Sequence, residues 1–159
     1  PTLINGATAT LAGTNEDTTS SGTTVATILA ATGWADVDTG AASGIAITAV
    51  TGNGTWQYST DGVTWNGVGS VSGANALLLT SGTQVRYVPD GLNGETATFA
   101  FRAWDQTTGT ASTNATPSYV NPGAGGGTTA YSTQSASASI TVICVAPVGV
   151  NTWATSPRR

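Results

Sequence analysis

Five of the eight acidic residues lie where predicted β-strands end. Carboxylates that cluster without arginine or lysine nearby repel one another unless a cation compensates them. Hard divalent cations bind several oxygen ligands in irregular loops, and calcium suits this arrangement best. If the strand ends meet at one pole of a sandwich, the sequence predicts a calcium site whose candidate ligands are Glu16, Asp17, Asp36, Asp38 and Asp105.

The Asp36-Val37-Asp38 loop has the most suggestive spacing in this set. Alternate positions let both carboxylates point toward one ion, and Thr39-Gly40 then lets the backbone turn. Short Asp-x-Asp segments also form ordinary turns in which the side chain accepts a backbone hydrogen bond. From the residues alone both interpretations remain open. For the other three acids, Asp61, Asp90 and Glu95, we expect roles in turns or in solvation.

Composition excludes most other chemistry. The 159 residues include no histidine, and the four basic residues are all arginine. Triad catalysis, Schiff-base chemistry and P-loop phosphate binding therefore lack their key side chains, and we expect the protein not to be an enzyme. The net charge is −4 and leaves no basic stripe for nucleic acid. No apolar run of about 18 residues is present, so no transmembrane segment is predicted.

Short runs of β-forming residues recur between glycine, asparagine, aspartate and serine, and helical periodicity is nearly absent. The pattern predicts an all-β, immunoglobulin-like (cadherin-like) antiparallel sandwich of about seven to nine strands. Alternation in the longest run places Phe99 and Phe101 in the core. Asn53-Gly54 and Asp61-Gly62 are typical of hairpin turns. The predicted strands cover residues 7–11, 24–30, 45–50, 55–59, 76–79, 84–88, 96–104 and 137–145.

A single domain is predicted over residues 1–148, followed by a tail at 149–159 that serves as a linker or binds a neighbouring subunit. Residues 106–130 form a long loop, which is either a flexible excursion or a contact surface that uses Tyr119 and Tyr131. Cys144 alternates with Ile140 and Val142, and we expect it to be buried; the alternative is an intermolecular disulfide. Four tryptophans are either core residues or a platform for sugars: Trp34, Trp56, Trp65 and Trp104.

A set of motifs follows in a fixed order along the chain: Asn15-Glu16-Asp17, Gly22-Thr23-Thr24-Val25, Asp36-Val37-Asp38-Thr39-Gly40 and Arg102-Ala103-Trp104-Asp105. This order resembles cadherin-like domains. The stretch from Leu3 to Val148 is still more similar to the long repeats of giant bacterial surface proteins and adhesins, as in Gly52-Asn53-Gly54-Thr55-Trp56 and Val85-Arg86-Tyr87-Val88-Pro89. The resemblance implies an extracellular immunoglobulin-like or cadherin-like sandwich, with calcium ligands at Glu16, Asp36, Asp38, Asp105 and Asp17.

One motif departs from this family. Its repeats usually end in an Asn-Asp-Ala-Pro type linker, whereas this chain has Cys144-Val145-Ala146-Pro147. The missing junction acid disfavours a calcium bridge to a following domain, and it suggests a terminal repeat or a stand-alone subunit.

The sequence therefore predicts a secreted structural or adhesive module on a bacterial surface, stabilised by calcium, that builds a fibre, tube or stalk by repetition or self-association. Low surface charge, unpaired strand edges and terminal segments free to bind a neighbour support this interpretation. Those segments are residues 1–6 and residues 146–159, the latter with Trp153, Arg158 and Arg159. Expected partners are copies of the chain, neighbouring repeats and a surface carbohydrate. The alternative function is a carbohydrate-binding module with an aromatic platform.

Overall fold

The computed structural model describes residues 1–145, which form two β-sheets packed face to face and one short helix. The strands are β1 (Thr8–Thr10), β2 (Thr14–Asn15), β3 (Thr23–Thr24), β4 (Gly44–Val50), β5 (Thr55–Ser59), β6 (Asn66–Gly67), β7 (Ala76–Thr80), β8 (Gln84–Val88), β9 (Glu95–Trp104), β10 (Tyr119–Val120) and β11 (Tyr131–Ile143), and the helix is α1 (Val25–Ala31).

The larger sheet has the strand order β1-β11-β9-β4-β7-β10, and β2 also pairs with β11. The smaller sheet has the order β3-β8-β5-β6. β1 and β2 run parallel to β11, whereas the other pairs are antiparallel. The prediction of an all-β, immunoglobulin-like sandwich is confirmed. Seven of the strands in the described part have three residues or more, and β2, β3, β6 and β10 have two each.

The main core lies between the sheets. β9 alternates buried and half-buried residues because successive side chains of a strand point to opposite faces. Phe99 and Phe101 are buried, as predicted, with ring centroids 5.8 Å apart. The Trp56 ring contacts Phe99 edge-on from the smaller sheet, at 4.9 Å between centroids. Aromatic burial therefore holds the two sheets together.

The strand predicted at residues 24–30 is wrong, because this segment forms helix α1. Thr24 is the N-cap, and its side-chain oxygen accepts a hydrogen bond from Thr27 N. Val25, Ile28 and Leu29 are the buried helix residues, and this i, i+3, i+4 spacing places them on one face toward the core. The helical period was masked by β-branched residues on both sides of the cap.

The two predicted hairpins have different outcomes. The hairpin at Asn53-Gly54 is wrong, because β4 and β5 belong to different sheets and the connection crosses between them. The turn at Asp61-Gly62 joins β5 to β6 as a hairpin, although the partner strand begins at Asn66. Asp61 Oδ1 accepts hydrogen bonds from Val63 N and Thr64 N, so its predicted turn role is confirmed.

Of the other two acids for which a turn or solvation role was predicted, one closes a turn and the other lies in a strand. Asp90 accepts hydrogen bonds from Leu92 N and Asn93 N and closes a turn as predicted. Glu95 instead begins β9 and accepts hydrogen bonds from Tyr87 Oη (2.6 Å) and Asn53 N (2.9 Å). Burial, and next the hydrogen bond to Glu95, raise the pKa of Tyr87 to about 12. Glu95 therefore ties the crossover between the sheets to the core.

The long loop at 106–130 is packed against the outer face of the larger sheet. It covers a second apolar cluster, formed by Ala46, Ala76, Leu78, Trp104, Ala130 and Tyr131. Ser112 N donates to Leu78 O, and Leu78 N donates to Ser118 O, each at 3.0 Å. The flexible excursion and the tyrosine contact surface are both wrong, because Tyr131 is buried and Tyr119 Oη donates inward to Val68 O. The first four residues of β4 and of β7 are therefore buried on both faces.

Three expectations concern the chain ends. Cys144 is exposed, contrary to prediction, because β11 ends at Ile143 and the alternation stops there. In the N-terminal segment Leu3 is buried and Thr2 bridges to Ala35, while Ile4 is exposed; the docking of residues 1–6 on a neighbour stays a prediction. The tail at 149–159, with Trp153, Arg158 and Arg159, lies outside the described residues, and its docking stays a prediction.

Candidate functional site

Strand β11 runs from one end of the sandwich to the other, and we call these two ends its poles. It has 13 residues, which at about 3.3 Å per residue is roughly 40 Å. We call its start the Tyr131 pole and its end the Ile143 pole. Asp105 N donates to Ala130 O at the Tyr131 pole, whereas Glu16 N donates to Ile143 O at the Ile143 pole.

The five predicted ligands therefore do not converge, and this part of the calcium prediction is wrong. β1 and β2 run parallel to β11, so they carry the chain to the Ile143 pole before Glu16 and Asp17 are reached. The sequence predicted an antiparallel sandwich, and a first strand antiparallel to β11 would have brought Glu16 and Asp17 to the Tyr131 pole.

Three of the five acids do line one cleft at the Tyr131 pole. Asp36, Asp38 and Asp105 share a cleft of about 480 Å³. The first two come from the loop between α1 and β4, and Asp105 follows β9 directly. The rest of the cleft lining includes the glycine-rich segment that precedes β11, together with Thr133 and Gln134.

Asp36 organises its own loop. Its Oδ1 accepts a hydrogen bond from Asp38 N at 2.9 Å, and Oδ2 lies 3.2 Å from the amino nitrogen of Pro1. The backbone hydrogen bond from Asp38 is the main cause that lowers the pKa of Asp36. Of the two interpretations of Asp36-Val37-Asp38, the structure thus contains the turn in which Asp36 accepts a backbone hydrogen bond.

Asp105 is buried, with 7% of its surface exposed. Its Oδ1 accepts hydrogen bonds from Thr107 N at 2.9 Å and from Thr107 Oγ1 at 2.6 Å. Between them, Gln106 adopts a left-handed conformation with φ of 65°, and its Nε2 donates to Ser43 O. Asp105 therefore stabilises a strained turn that begins the long loop.

Arg102 holds the glycine-rich wall of the cleft. Its Nε donates to Ser132 O at 2.6 Å, and its Nη1 donates to Gly123 O at 2.7 Å. Burial lowers the pKa of Arg102. Gly125 has a φ of 76°, and a Cβ there would collide with Arg102 Nη2. No role was predicted for Arg102, although a lone arginine on a half-buried strand is a usable signal.

The cleft is rich in hydrogen-bond acceptors. Among the described residues, Gln134 Oε1 is a buried oxygen that accepts no hydrogen bond, and the buried Asp36 Oδ2 has the amino nitrogen of Pro1 as its neighbour. Both belong to the cleft lining, which contains no arginine side chain. Such a lining favours cations and hydrogen-bond donors. Gln134 could not be found from sequence, because the last strand was predicted to begin only at residue 137.

The fit to calcium is incomplete in this geometry. Within residues 1–145 no three acidic or cysteine side chains gather closely enough to hold a metal ion. Asp36 and Asp105 each use one carboxylate oxygen in a local turn. Calcium binding stays a prediction of the sequence.

The Ile143 pole has a different character. Glu16 is buried there with 9% exposure, and its Oε1 lies 3.4 Å from Val145 N while Oε2 has no partner within the described chain. A hydrogen bond to Glu16 raises the pKa of Cys144. Two apolar side chains are exposed nearby, Leu92 at 77% and Ile143 at 56%. This pole therefore combines a buried carboxyl group with exposed apolar surface.

The tryptophans do not share one surface. Trp56 and Trp104 are buried in the two apolar clusters, which confirms their predicted core role. Trp34 is half-buried against the main core. Trp65 is half-buried, and Arg86 Cζ lies 4.1 Å from the centroid of its ring. A platform built from all four is therefore not formed.

Two further findings concern the chain as a whole. The helix in the described part of the chain is too short to cross a membrane. Comparisons of the sequence with protein-family models and with curated proteins, and of the structure with solved structures, found no match.

Proposed function

We propose that the protein is an extracellular structural module of a bacterial surface fibre, tube or stalk, which associates end to end with copies of itself or with neighbouring repeats. The observation that carries the proposal is the course of the chain through the sandwich. Thr2 lies at the Tyr131 pole, beside the cleft, and Val145 lies at the Ile143 pole, beside Glu16. A module whose first and last described residues lie at opposite poles can be joined to others in series along the direction of β11.

The edges of the sheets support contact through the poles. The edge strands of the described residues are β1, with three residues, and β2, β10, β3 and β6, with two each. Short edges resist pairing with another sheet. The sequence-based expectation that open edges drive assembly is therefore replaced by contact between poles.

The poles carry the apolar surface that such a contact needs. Leu92 and Ile143 are exposed at one pole, and Val37, which is 96% exposed, lines the cleft at the other. The contact is heterologous, because it joins two different surfaces, and heterologous contacts extend into chains or rings. The outer face of the larger sheet, by contrast, carries hydroxyl side chains such as Thr8, Thr10, Ser137 and Ser139.

Charge favours an extracellular setting for this surface. Both arginines in the described residues are engaged, Arg86 with Gln57 and Trp65, and Arg102 with backbone carbonyls. The exposed polar surface therefore consists mainly of threonine and serine hydroxyls. Nothing in the aromatic arrangement favours the carbohydrate-binding alternative over self-association.

Sedimentation velocity of the full chain over a range of concentrations tests the proposal. We expect oligomers that grow with concentration. Leu92→Asp blocks one pole and Val37→Asp blocks the other, so each variant alone should be monomeric. Because each retains one intact pole, mixing them should give a one-to-one dimer and nothing larger. A wild-type chain that stays monomeric at all concentrations contradicts self-association, and oligomers that survive both substitutions contradict contact through the poles.

A further inference from the structure

The first and last strands of the described chain lie side by side over most of the length of the sandwich. Residues 6–16 run parallel to β11 and pair with it through β1 and then β2. The backbone hydrogen bonds that join them include Gly6 N to Ser135 O (2.9 Å), Ser137 N to Ala7 O (2.9 Å), Leu11 N to Ser139 O (2.8 Å) and Glu16 N to Ile143 O (3.0 Å). The pairing therefore extends along β11 from residue 135 to its end.

We propose that this pairing is a force-bearing clamp through which the protein carries tension between its neighbours. The inference rests on the proposed function, because only a module in a series is pulled from both ends. Tension pulls Pro1 outward at the Tyr131 pole and Val145 outward at the Ile143 pole. The two paired segments are then driven past each other along their own direction.

Hydrogen bonds between strands lie across the strand direction. Pulling along the strands therefore loads all the bonds between residues 6–16 and β11 together, and they must break in one concerted event. When strands are peeled apart from one end, the bonds break one after another, so that each carries the load alone. The parallel direction of β1 and β2 places this chain in the first case.

Side chains reinforce the clamp. Leu3 and Ala9 are buried in the main core, and Ala7 and Leu11 pack against it. Sliding of the segment along β11 would expose this apolar surface to water, which is unfavourable. Gly13 passes so close to the Thr141 carbonyl that a Cβ would lie 3.0 Å from the oxygen. The segment between β1 and β2 therefore stays against β11.

The chain offers a second loading direction as a control. Cys144 is exposed at the end of β11, and Leu92 is exposed in the loop before β9. β9 and β11 are antiparallel and begin their pairing beside these residues, at Glu95 and Val142. Force applied between Cys144 and a Leu92→Cys substitution therefore peels β9 from β11, starting at the Ile143 pole.

Matched substitutions separate the clamp from general stability. Ala7 O and Leu11 N both bond to β11, so alternate residues face it and the backbone N–H of Thr10 faces the open edge. Leu11→Pro removes a donor to Ser139, whereas Thr10→Pro removes an N–H that faces away from β11. Leu11→Ala removes the side chain and keeps the donor.

Optical-tweezers unfolding of the full chain tests the proposal, with handles on the amino terminus and on Cys144. We expect one cooperative high-force step in this geometry and a much lower force when the handles are on Cys144 and Leu92→Cys. At constant force, Leu11→Pro should unfold roughly tenfold faster, because one hydrogen bond is lost and the Ser139 carbonyl is left unpaired. Thr10→Pro should unfold at about the wild-type rate, and Leu11→Ala between the two.

Equal forces in the two geometries would overturn the clamp, and so would a Leu11→Pro chain that unfolds no faster than Thr10→Pro. If Leu11→Pro does not fold, the comparison of geometries decides alone. Self-association is measured independently by sedimentation. A weak clamp in a chain that still forms end-to-end oligomers rejects the clamp only, and a strong clamp in a chain that stays monomeric rejects self-association only.

Discussion

Leu78→Ala tests whether the long loop is held by the apolar cluster on the outer face of the larger sheet. Leu78, a residue of β7, is fully buried beneath residues 106–130, in the same apolar cluster as Trp104 and Tyr131. Leu77 is the matched control, because it is equally buried, adjacent in sequence and directed into the main core. The two substitutions remove the same atoms from opposite faces of one strand.

The expected costs follow from how well each site can collapse. Leucine-to-alanine substitutions in protein cores cost about 2 to 5 kcal/mol, and the cost rises with the cavity that remains. Leu78 is covered by a loop that can move inward, so we expect about 2 to 3 kcal/mol. Leu77 lies between two sheets that are fixed by their hydrogen bonds, so we expect about 3 to 5 kcal/mol.

Urea unfolding measures the global cost, and hydrogen exchange of residues 106–130 measures the local one. In Leu78→Ala the amide of Ser112, which donates to Leu78 O, should lose protection relative to the core strands by roughly 30-fold, the factor that corresponds to about 2 kcal/mol. In Leu77→Ala the amides of residues 106–130 should lose protection by no more than the amides of the core strands do. Equal loop protection in the two variants would refute the reasoning.

Four further predictions concern other parts of the molecule. Phe101→Ala should cost about 3 to 5 kcal/mol in urea unfolding, because a fully buried ring leaves a cavity, and wild-type stability would contradict the register of β9. Gly125→Ala should lower the melting temperature more than Gly123→Ala, since both have positive φ but only at Gly125 would a Cβ collide with the Arg102 side chain; equal effects would contradict that close approach. Backbone hydrogen bonds, first that from Thr64, lower the pKa of Asp61 from 3.8 to about 2. Its folded-state pKa lies below the unfolded value, so the contribution of Asp61 to the free energy of unfolding is present above pH 3.8 and is lost as the pH falls to about 2. Asp61→Asn should therefore weaken the dependence of stability on pH in that window, and an unchanged dependence would contradict this role. Calcium at a hundredfold excess over Kd should stabilise the fold by about 2.7 kcal/mol if the sequence prediction holds, and identical melting curves in calcium and in chelator would contradict it.

The fold class could be predicted from sequence because its signals are local. Alternation in β9 identifies Phe99 and Phe101 as core residues whatever their partners are. The continuous apolar runs of β4 and β7 predicted these two strands. They did not predict that both faces of the strands are buried, since nothing local shows that residues 106–130 cover Leu78. Helix α1 was missed because seven residues with β-branched neighbours carry a weak helical period.

The candidate site was predicted only in part, because it depends on strand direction. Asp105 was correctly placed at a strand end, whereas Asp36 and Asp38 follow helix α1; the three share a cleft. Glu16 and Asp17 lie at the opposite pole because β1 and β2 pair in parallel with a strand more than 120 residues away. Direction in such a long-range pair is set by the global packing of the sheets and leaves no trace in residue spacing. Gln134 and Arg102 enter the site through a different pairing, that of β9 with β11, in which Arg102 lies opposite Ser135.

Small-angle X-ray scattering of the full chain at increasing concentration tests the central claim, association end to end, most directly. If copies join pole to pole, each added copy lengthens the particle by about the length of β11, roughly 40 Å, and the cross-sectional radius stays that of one sandwich. Growth of the cross-section with concentration, or scattering that remains that of a single copy, would contradict the account.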